Sequence, residues 1–326
     1  MNRKARISLL LTILLAGEIT SAHSQSDYPA RPVRVIVPFA PGGVVDVMAR
    51  LLTQKLSDAT GKNFYVENVG GAGGNIGTRN AASSAKDGYT ILISSSSFVV
   101  NPSLHSKAPY DPIADFSPIS IAAASPNVLV VNPAEPATNV AKLIDAIRKA
   151  PGRYSFASAG VGTTPHLCGE VFKLSAGLNL VHVPFAGAGP ALQSTVAGHT
   201  PIAFSALPPA APLIRSGALR ALATTSPKRL DAFSDLPTMT EQGLAGQEAE
   251  TLLFILAPAG TPVEIVNQLS GRLRTILQLP DVHRQFDTLG FTALATTPEE
   301  SSQRIREETA KWAKVIKESN LRKTGD

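Results

Sequence analysis

The residues best able to do chemistry in this chain lie in two glycine-rich loops, each set between an apolar strand and the first turn of a helix. One lies in VRVIVPFAPGGVVDVMARLLTQKL (33–56), the other in YSFASAGVGTTPHLCGEVFKL (154–174). The first N–H groups of a helix lack intrahelical acceptors and sit at the positive end of its dipole, so each loop is a ready site for a carboxylate. In PFAPGG, Pro38 and Pro41 stiffen the turn, while Gly42 and Gly43 let the backbone approach a ligand without side-chain obstruction. In SAGVGTTPH, Ser158, Gly160 and Thr163 offer hydroxyl and backbone donors. Thr164 reads as the N-cap, with Pro165 at the first helical position.

Two residues near these loops admit two readings each. Asp46, in the first helical turn, either complements the helix N-terminus or receives a ligand ammonium, hydroxyl or bridging water. His166 either bonds the loop backbone or touches the ligand. A third cluster, ISSSSFVVNP, places hydroxyls, Ser94 and Ser96 among them, where a strand ends, the edge at which open α/β sheets bind ligands. Phe39 and Phe185 read either as cleft walls or as core.

Other chemistries find little support. VENVGGAGGNIGT contains G-x-G-x-x-x-G, one residue longer than a dinucleotide fingerprint, and reads better as a loop leading to a helix at Asn75. There is no G-x-S-x-G, no H-E-x-x-H and no paired Cys/His set, so no catalytic residue, metal site or cofactor is expected. Cys168 is the only cysteine, which excludes an intramolecular disulfide; beside Leu167 on the apolar side of a helix, it reads as a small buried hydrophobe.

The elements that position these loops follow from apolar periodicity. Strand 33–37, helix 44–56, strand 64–66, a helix from about Asn75 and strand 89–94 form a βαβαβ series. A second series follows: helix 139–150, strand 154–158, helix 165–176, strand 180–185, helix 190–197 and strand 202–205. Apolar runs meeting at Ser125-Pro126, and ETLLFILAPAG at 250–260, read as two extended crossings between lobes. A closing helix from about Pro298 carries Trp312 as a packing anchor. Two crossings make the first lobe discontinuous, residues 27–124 plus 250–326, with 125–249 as the second lobe and the cleft between them. Each lobe is expected to be a mostly parallel sheet flanked by helices, the pair joined by a two-strand hinge.

At 326 residues, with 44% apolar and 17% charged residues, the chain can bury a core in each lobe. Residues 1–22 read as a secretory signal peptide: Arg3, Lys4 and Arg6 precede the short apolar run ISLLLTILLAG, and cleavage is expected after Ala22 or Ser24. Its removal takes three basic residues and one acid, lowering the formal charge from +5 to about +3. No Lys/Arg run remains to bind nucleic acid.

Along nearly the whole mature chain, and in family order, YPARPVRVIVPFAPGG, VENVGGAGGNIGT, DGYTILIS, YDPIADFSPIS, ASAGVGTTPHL, HVPFAGAGPAL, GALRALATTS and LAPAGTP resemble segments of the Bug family of exported solute-binding proteins. That family includes the receptor subunits of tripartite tricarboxylate transporters. The resemblance implies a type II-like periplasmic-binding-protein (Venus-flytrap) fold without enzymatic activity. It implies carboxylate contacts, often through ordered waters, from Phe39, Gly42, Gly43 and Asp46 on one loop and from Ser158, Gly160, Thr163 and Thr164 on the other. His166 stands where the family usually has histidine. One departure is SALPPAA (205–211), where many relatives are more acidic or carry amides; an ammonium on the ligand would find only Ser205 there, which favours a carboxylate without an amino group. The expected protein is therefore a monomeric periplasmic receptor for a small organic acid, foremost a di- or tricarboxylate, serving membrane permease subunits. The alternative is a sensing protein that presents the acid to a two-component sensor kinase.

Overall fold

The computed structural model describes residues 28–105 and 108–318; the expected signal peptide, 1–22, lies outside them. Three strands open the chain: β1 (Val33–Val37), β2 (Phe64–Asn68) and β3 (Thr90–Ser95). β1 pairs in parallel with both neighbours, setting Val35 opposite Val66 and Ile91. Such a central strand is covered on both faces, which explains its nearly unbroken apolar run. Its one charged residue, Arg34, meets Glu67 with Nε 2.6 Å from Oε2. The connecting helices are α1 (Val44–Thr60) and α2 (Asn75–Ala82). α1 runs four residues past the expected Leu56 and stops at Gly61, whose left-handed φ of 66° lets its N–H reach the Ser57 carbonyl at 2.9 Å.

A further helix follows β3 where the sequence reads as a polar loop: α3 (Ser97–Leu104), with Pro102 inside it. Proline cannot donate to the Phe98 carbonyl one turn back, and the Tyr110 hydroxyl does so instead at 3.0 Å. Phe98 itself is core, stacked on Tyr110 and edge-on to Phe116.

β4 (Phe116–Val131) is one strand of 16 residues that runs straight through Ser125-Pro126. Its first part pairs antiparallel with β9 (Glu250–Pro258), and its second part with β7 (Ile202–Ala206) and β8 (Arg220–Thr224). The two crossings thus lie side by side. Register shifts next to Pro118 and Ile121 accommodate the twist and the missing proline donor. Where β4 leaves β9, the buried Asn127 ties the crossing: its Nδ2 donates to the Ala249 carbonyl, and its Oδ1 accepts from Thr251 Oγ1 at 3.0 Å.

The second lobe repeats the βα order with α4 (Val140–Lys149), β5 (Ser155–Ser158), α5 (Thr164–Ala176), β6 (Val181–Pro184), α6 (Ala188–Val196), β7 and α7 (Leu207–Arg215). β5 is parallel to β6 and β7. α7 carries three prolines, Pro208, Pro209 and Pro212. Prolines in its first turn lack only N–H groups that would have had no partner there. The chain closes with α8 (Val263–Leu277), α9 (Pro280–Leu289), the short β10 (Thr292–Ala293) and α10 (Pro298–Glu318). The strands form a single mixed sheet in the order β2-β1-β3-β9-β4-β7-β5-β6. Its parallel parts are those the two βα series require, and its antiparallel parts are the crossings. Apolar clusters cover both faces of each lobe, and Trp312 is buried with its indole N–H on Glu308 at 3.0 Å.

Candidate ligand-binding site

The first loop is shaped from beneath by Asp46. Its buried carboxylate accepts from the Gly42 N–H, from Arg50 Nε and from Asn68 Nδ2, each at 2.9 Å, and Asn68 also donates to the Phe39 carbonyl. Burial alone would raise the Asp46 pKa. The bonds from Arg50, Gly42 and Asn68 outweigh it and hold the carboxyl below its ordinary value. Asp46 is thus engaged in holding the loop. Gly42 has φ 80°, a conformation that favours glycine, and Gly43 caps α1 without a side-chain hydrogen bond, leaving first-turn N–H groups open.

In the second loop the cap is Thr163, not Thr164. Thr163 Oγ1 accepts from the His166 N–H and donates to the Gly160 carbonyl at 2.7 Å. Helix geometry begins one residue earlier than Pro165 suggests, since proline is tolerated anywhere in the first turn. Thr164, now helical, holds a buried hydroxyl with no hydrogen-bond partner among the described residues. Ser158 Oγ is occupied by its own loop, accepting from the Gly160 N–H at 3.2 Å, and by His182 Nε2 at 2.7 Å. His166 bonds the loop backbone: Nδ1 accepts from the Gly162 N–H at 3.2 Å, which places its proton on Nε2.

His182 drew no attention in the sequence, yet its ring centroid lies 4.3 Å from that of His166 and 4.8 Å from Phe156. Burial lowers the His166 pKa to about 4, with Glu170 opposing and Lys173 assisting; burial, then His166 and Lys173, lowers His182 to about 3. Ser158 and His182 have the spacing of a nucleophile and base. However, among the described residues no carboxylate bonds His182 to orient it, and a histidine held this far below neutrality is a weak base. The pair instead stiffens the loop. Unfolded chain binds these protons near pH 6.5, folded chain only near pH 4 and below, so folding stability falls as pH drops through that window. We expect the melting temperature to fall by about 5–10 °C between pH 7 and 4, and by visibly less in His182→Phe. Equal falls in the two proteins would contradict this account.

Each loop meets the opposite lobe. The Ala40 N–H donates to the Ala186 carbonyl at 3.0 Å, and glycines let the facing backbones approach closely. A Cβ on Gly73 would lie 2.1 Å from the Val161 oxygen, and one on Gly162 2.0 Å from Asn101 Oδ1. Between the loops lies a cavity of about 20 Å³ walled by Phe39, Gly43, Ser95, Thr163, Ala188 and Thr251. It opens beside a groove of about 740 Å³, to which Phe39, Gly160 and Phe185 contribute.

Of the expected residues, then, Phe39, Gly43 and Thr163 meet in the cavity and Gly160 and Phe185 at the groove. Gly42, Asp46, Ser158, Thr164 and His166 lie in or directly behind the two loops. Ser94, Ser96 and Ser205 do not line the cavity. Ser95 does, because strand alternation sends neighbouring side chains to opposite faces. Ser96 Oγ accepts from the Leu252 N–H at 2.9 Å, and Ser205 Oγ donates to the Ala206 carbonyl at 3.0 Å. Cys168 is buried, and burial pushes its thiol up to about 12.

Two sheets' worth of βα units joined by paired crossing strands, with a cleft between facing helix N-termini, define a periplasmic solute-binding protein. Residues 48–321 match the model of the tripartite tricarboxylate transporter family receptor, TctC, and the chain belongs to that family. BugT of Bordetella pertussis is 36% identical over 324 residues, covering 99% of each chain. Among solved structures, the periplasmic binding protein BugD superposes with a TM-score of 0.88 at 33% identity, covering 91% of this chain and 100% of its own. A protein of R. palustris solved with adipate gives 0.87 at 33%, covering 90% and 98%. MatC of Rhodopseudomonas palustris, solved with malate, gives 0.85 at 29%, covering 89% and 100%. The matching family is one of transporter receptors, and BugD is a periplasmic binding protein.

Proposed function

We propose that this protein captures a small organic acid, a di- or tricarboxylate, between its lobes and delivers it to the membrane permease subunits of a tripartite tricarboxylate-type transporter. Residues 1–22 direct its export. Residues 27–124 with 250–326 move as one body against 125–249, bending where β4 and β9 cross. The observation that carries this reading is the pair of loop–helix mouths, which bring Gly43 from one lobe and Thr163 from the other onto the wall of one cavity. A carboxylate there accepts backbone and hydroxyl hydrogen bonds inside a partly dried cleft, each worth roughly 1.5–3 kcal/mol. The family assignment and the adipate- and malate-bound relatives support the ligand class.

The test is a thermal-shift screen of malate, citrate, adipate and amino acids on the purified mature protein. At a hundredfold excess over Kd a bound acid stabilises by about 2.7 kcal/mol, a rise of roughly 5–10 °C. In Thr164→Val the unliganded protein should melt no lower, because the hydroxyl has no partner to lose, while the acid-induced rise should shrink by at least about half. No shift with any acid would contradict the proposal.

A further inference from the structure

The interlobe cavity and the groove beside it differ greatly in size, and the difference bears on the ligand. At about 20 Å³ the cavity admits little more than a water or one end of a carboxylate. The groove, at about 740 Å³, falls in the range of small-molecule sites. The two share Phe39 and Ala159 as walls, so they adjoin. Away from that junction the groove is walled largely by glycine backbone and by Ile76, Val161, Pro184 and Phe185, with Arg79 on the first lobe. Ile76 is 55% exposed, a large apolar side chain facing solvent beside the groove. Arg79 is exposed, and its one side-chain bond is from Nη1 to the Pro109 carbonyl at 3.1 Å. No acidic side chain lines the groove among the described residues, and no carboxylate pairs with Arg79.

Resting on the function proposed above, we propose that the ligand is an elongated α,ω-diacid: one carboxylate enters the cavity between the glycine loops, an apolar chain or ring lies along the groove against Phe39, Val161 and Phe185, and the far carboxylate is received by Arg79. The guanidinium keeps its remaining N–H groups for that purpose, in the planar fork that suits a carboxylate. Arg79 is then the residue that distinguishes a diacid from a monoacid of the same length. Phe39, standing at the junction of cavity and groove, contacts the chain next to the first carboxylate.

Titration calorimetry on the mature protein tests this with adipate and azelate against hexanoate and nonanoate, and with malate as reference. At least one diacid should bind more tightly than its monoacid. Arg79→Gln should cut that preference by roughly three- to tenfold, and Arg79→Glu further, with monoacid affinity held within about twofold. Unliganded melting temperatures of both variants should match the wild type, since Arg79 is exposed and outside the core. A preference untouched by either variant, or equal losses for monoacid and diacid, would overturn the assignment. Binding of malate but of neither longer diacid would overturn it while leaving the proposed function standing. Binding of none of the acids would contradict both.

Discussion

Replacing Gly189 by leucine should weaken acid binding by about a hundredfold or more, while the unliganded protein melts within about 3 °C of the wild type. Gly189 lies in the first turn of α6, on the second lobe, and a Cβ there would sit 2.7 Å from the Pro41 carbonyl oxygen on the first. That distance is shorter than real Cβ contacts, and the obstacle is backbone, which cannot swing aside. On the closure proposed above, the clash exists only when the lobes are shut. Apparent affinity scales with the fraction of molecules able to close, so a wedge outside the cavity acts on Kd without touching the ligand. In the open state leucine is the better helix former by roughly 0.7–1 kcal/mol, so the fold need not suffer. Gly271→Ala in α8 is the matched control: nothing lies within 4 Å of its Cβ position, and affinity should be unchanged. Wild-type affinity in Gly189→Leu would show that closure is not needed for binding.

Asp46→Ala should lower the melting temperature by about 5–10 °C and reduce acid affinity at least tenfold. The substitution leaves the Gly42 N–H and the Asn68 amide without their acceptor and frees Arg50. Losing these part-buried hydrogen bonds costs roughly 0.5–1.5 kcal/mol each, and Gly42 loses the bond that holds its left-handed turn. The acid dependence has a defined sign. The folded-state pKa is depressed below the ordinary 3.8, so the stabilisation is fully present above 3.8 and is lost as pH falls through the lower folded value. The wild type should therefore lose stability below pH 3.8 more steeply than Asp46→Asn. The histidine window lies mostly above this one, running from pH 6.5 to about 4 for His166 and to about 3 for His182, so comparison with Asp46→Asn isolates the Asp46 part. Parallel acid limbs in the two proteins would rule out a depressed Asp46.

Both glycine loops were legible in the sequence because their signals are local. Proline, paired glycines and the first apolar turn of a helix all lie within a few residues of one another, and the same holds for the strand–helix alternation around them. What was not legible depends on partners far along the chain. The choice of Ser95 over Ser94 and Ser96 is a matter of register against β9, more than 150 residues away. Asp46 reads equally as ligand contact or loop support until Asn68 is seen beside it. His182 sits in a short, half-exposed strand, and only the fold stacks it on His166. α3 and α7 hold Pro102, Pro208, Pro209 and Pro212, which a helix tolerates where no donor is needed or where another group supplies it. In α3 that need is met by Tyr110. The close approach of Gly189 to Pro41 belongs to the facing lobes and to neither segment alone.

The claim that one acid bridges two facing helix mouths is tested most directly by a crystal structure of the protein with malate or adipate bound. Carboxylate oxygens of a single ligand should lie within about 2.7–3.2 Å, directly or through one water, of N–H groups from both the Gly42-Gly43 loop and the Gly160–Thr164 loop. A ligand held by only one of the two loops, or seated outside the interlobe cleft, would contradict it.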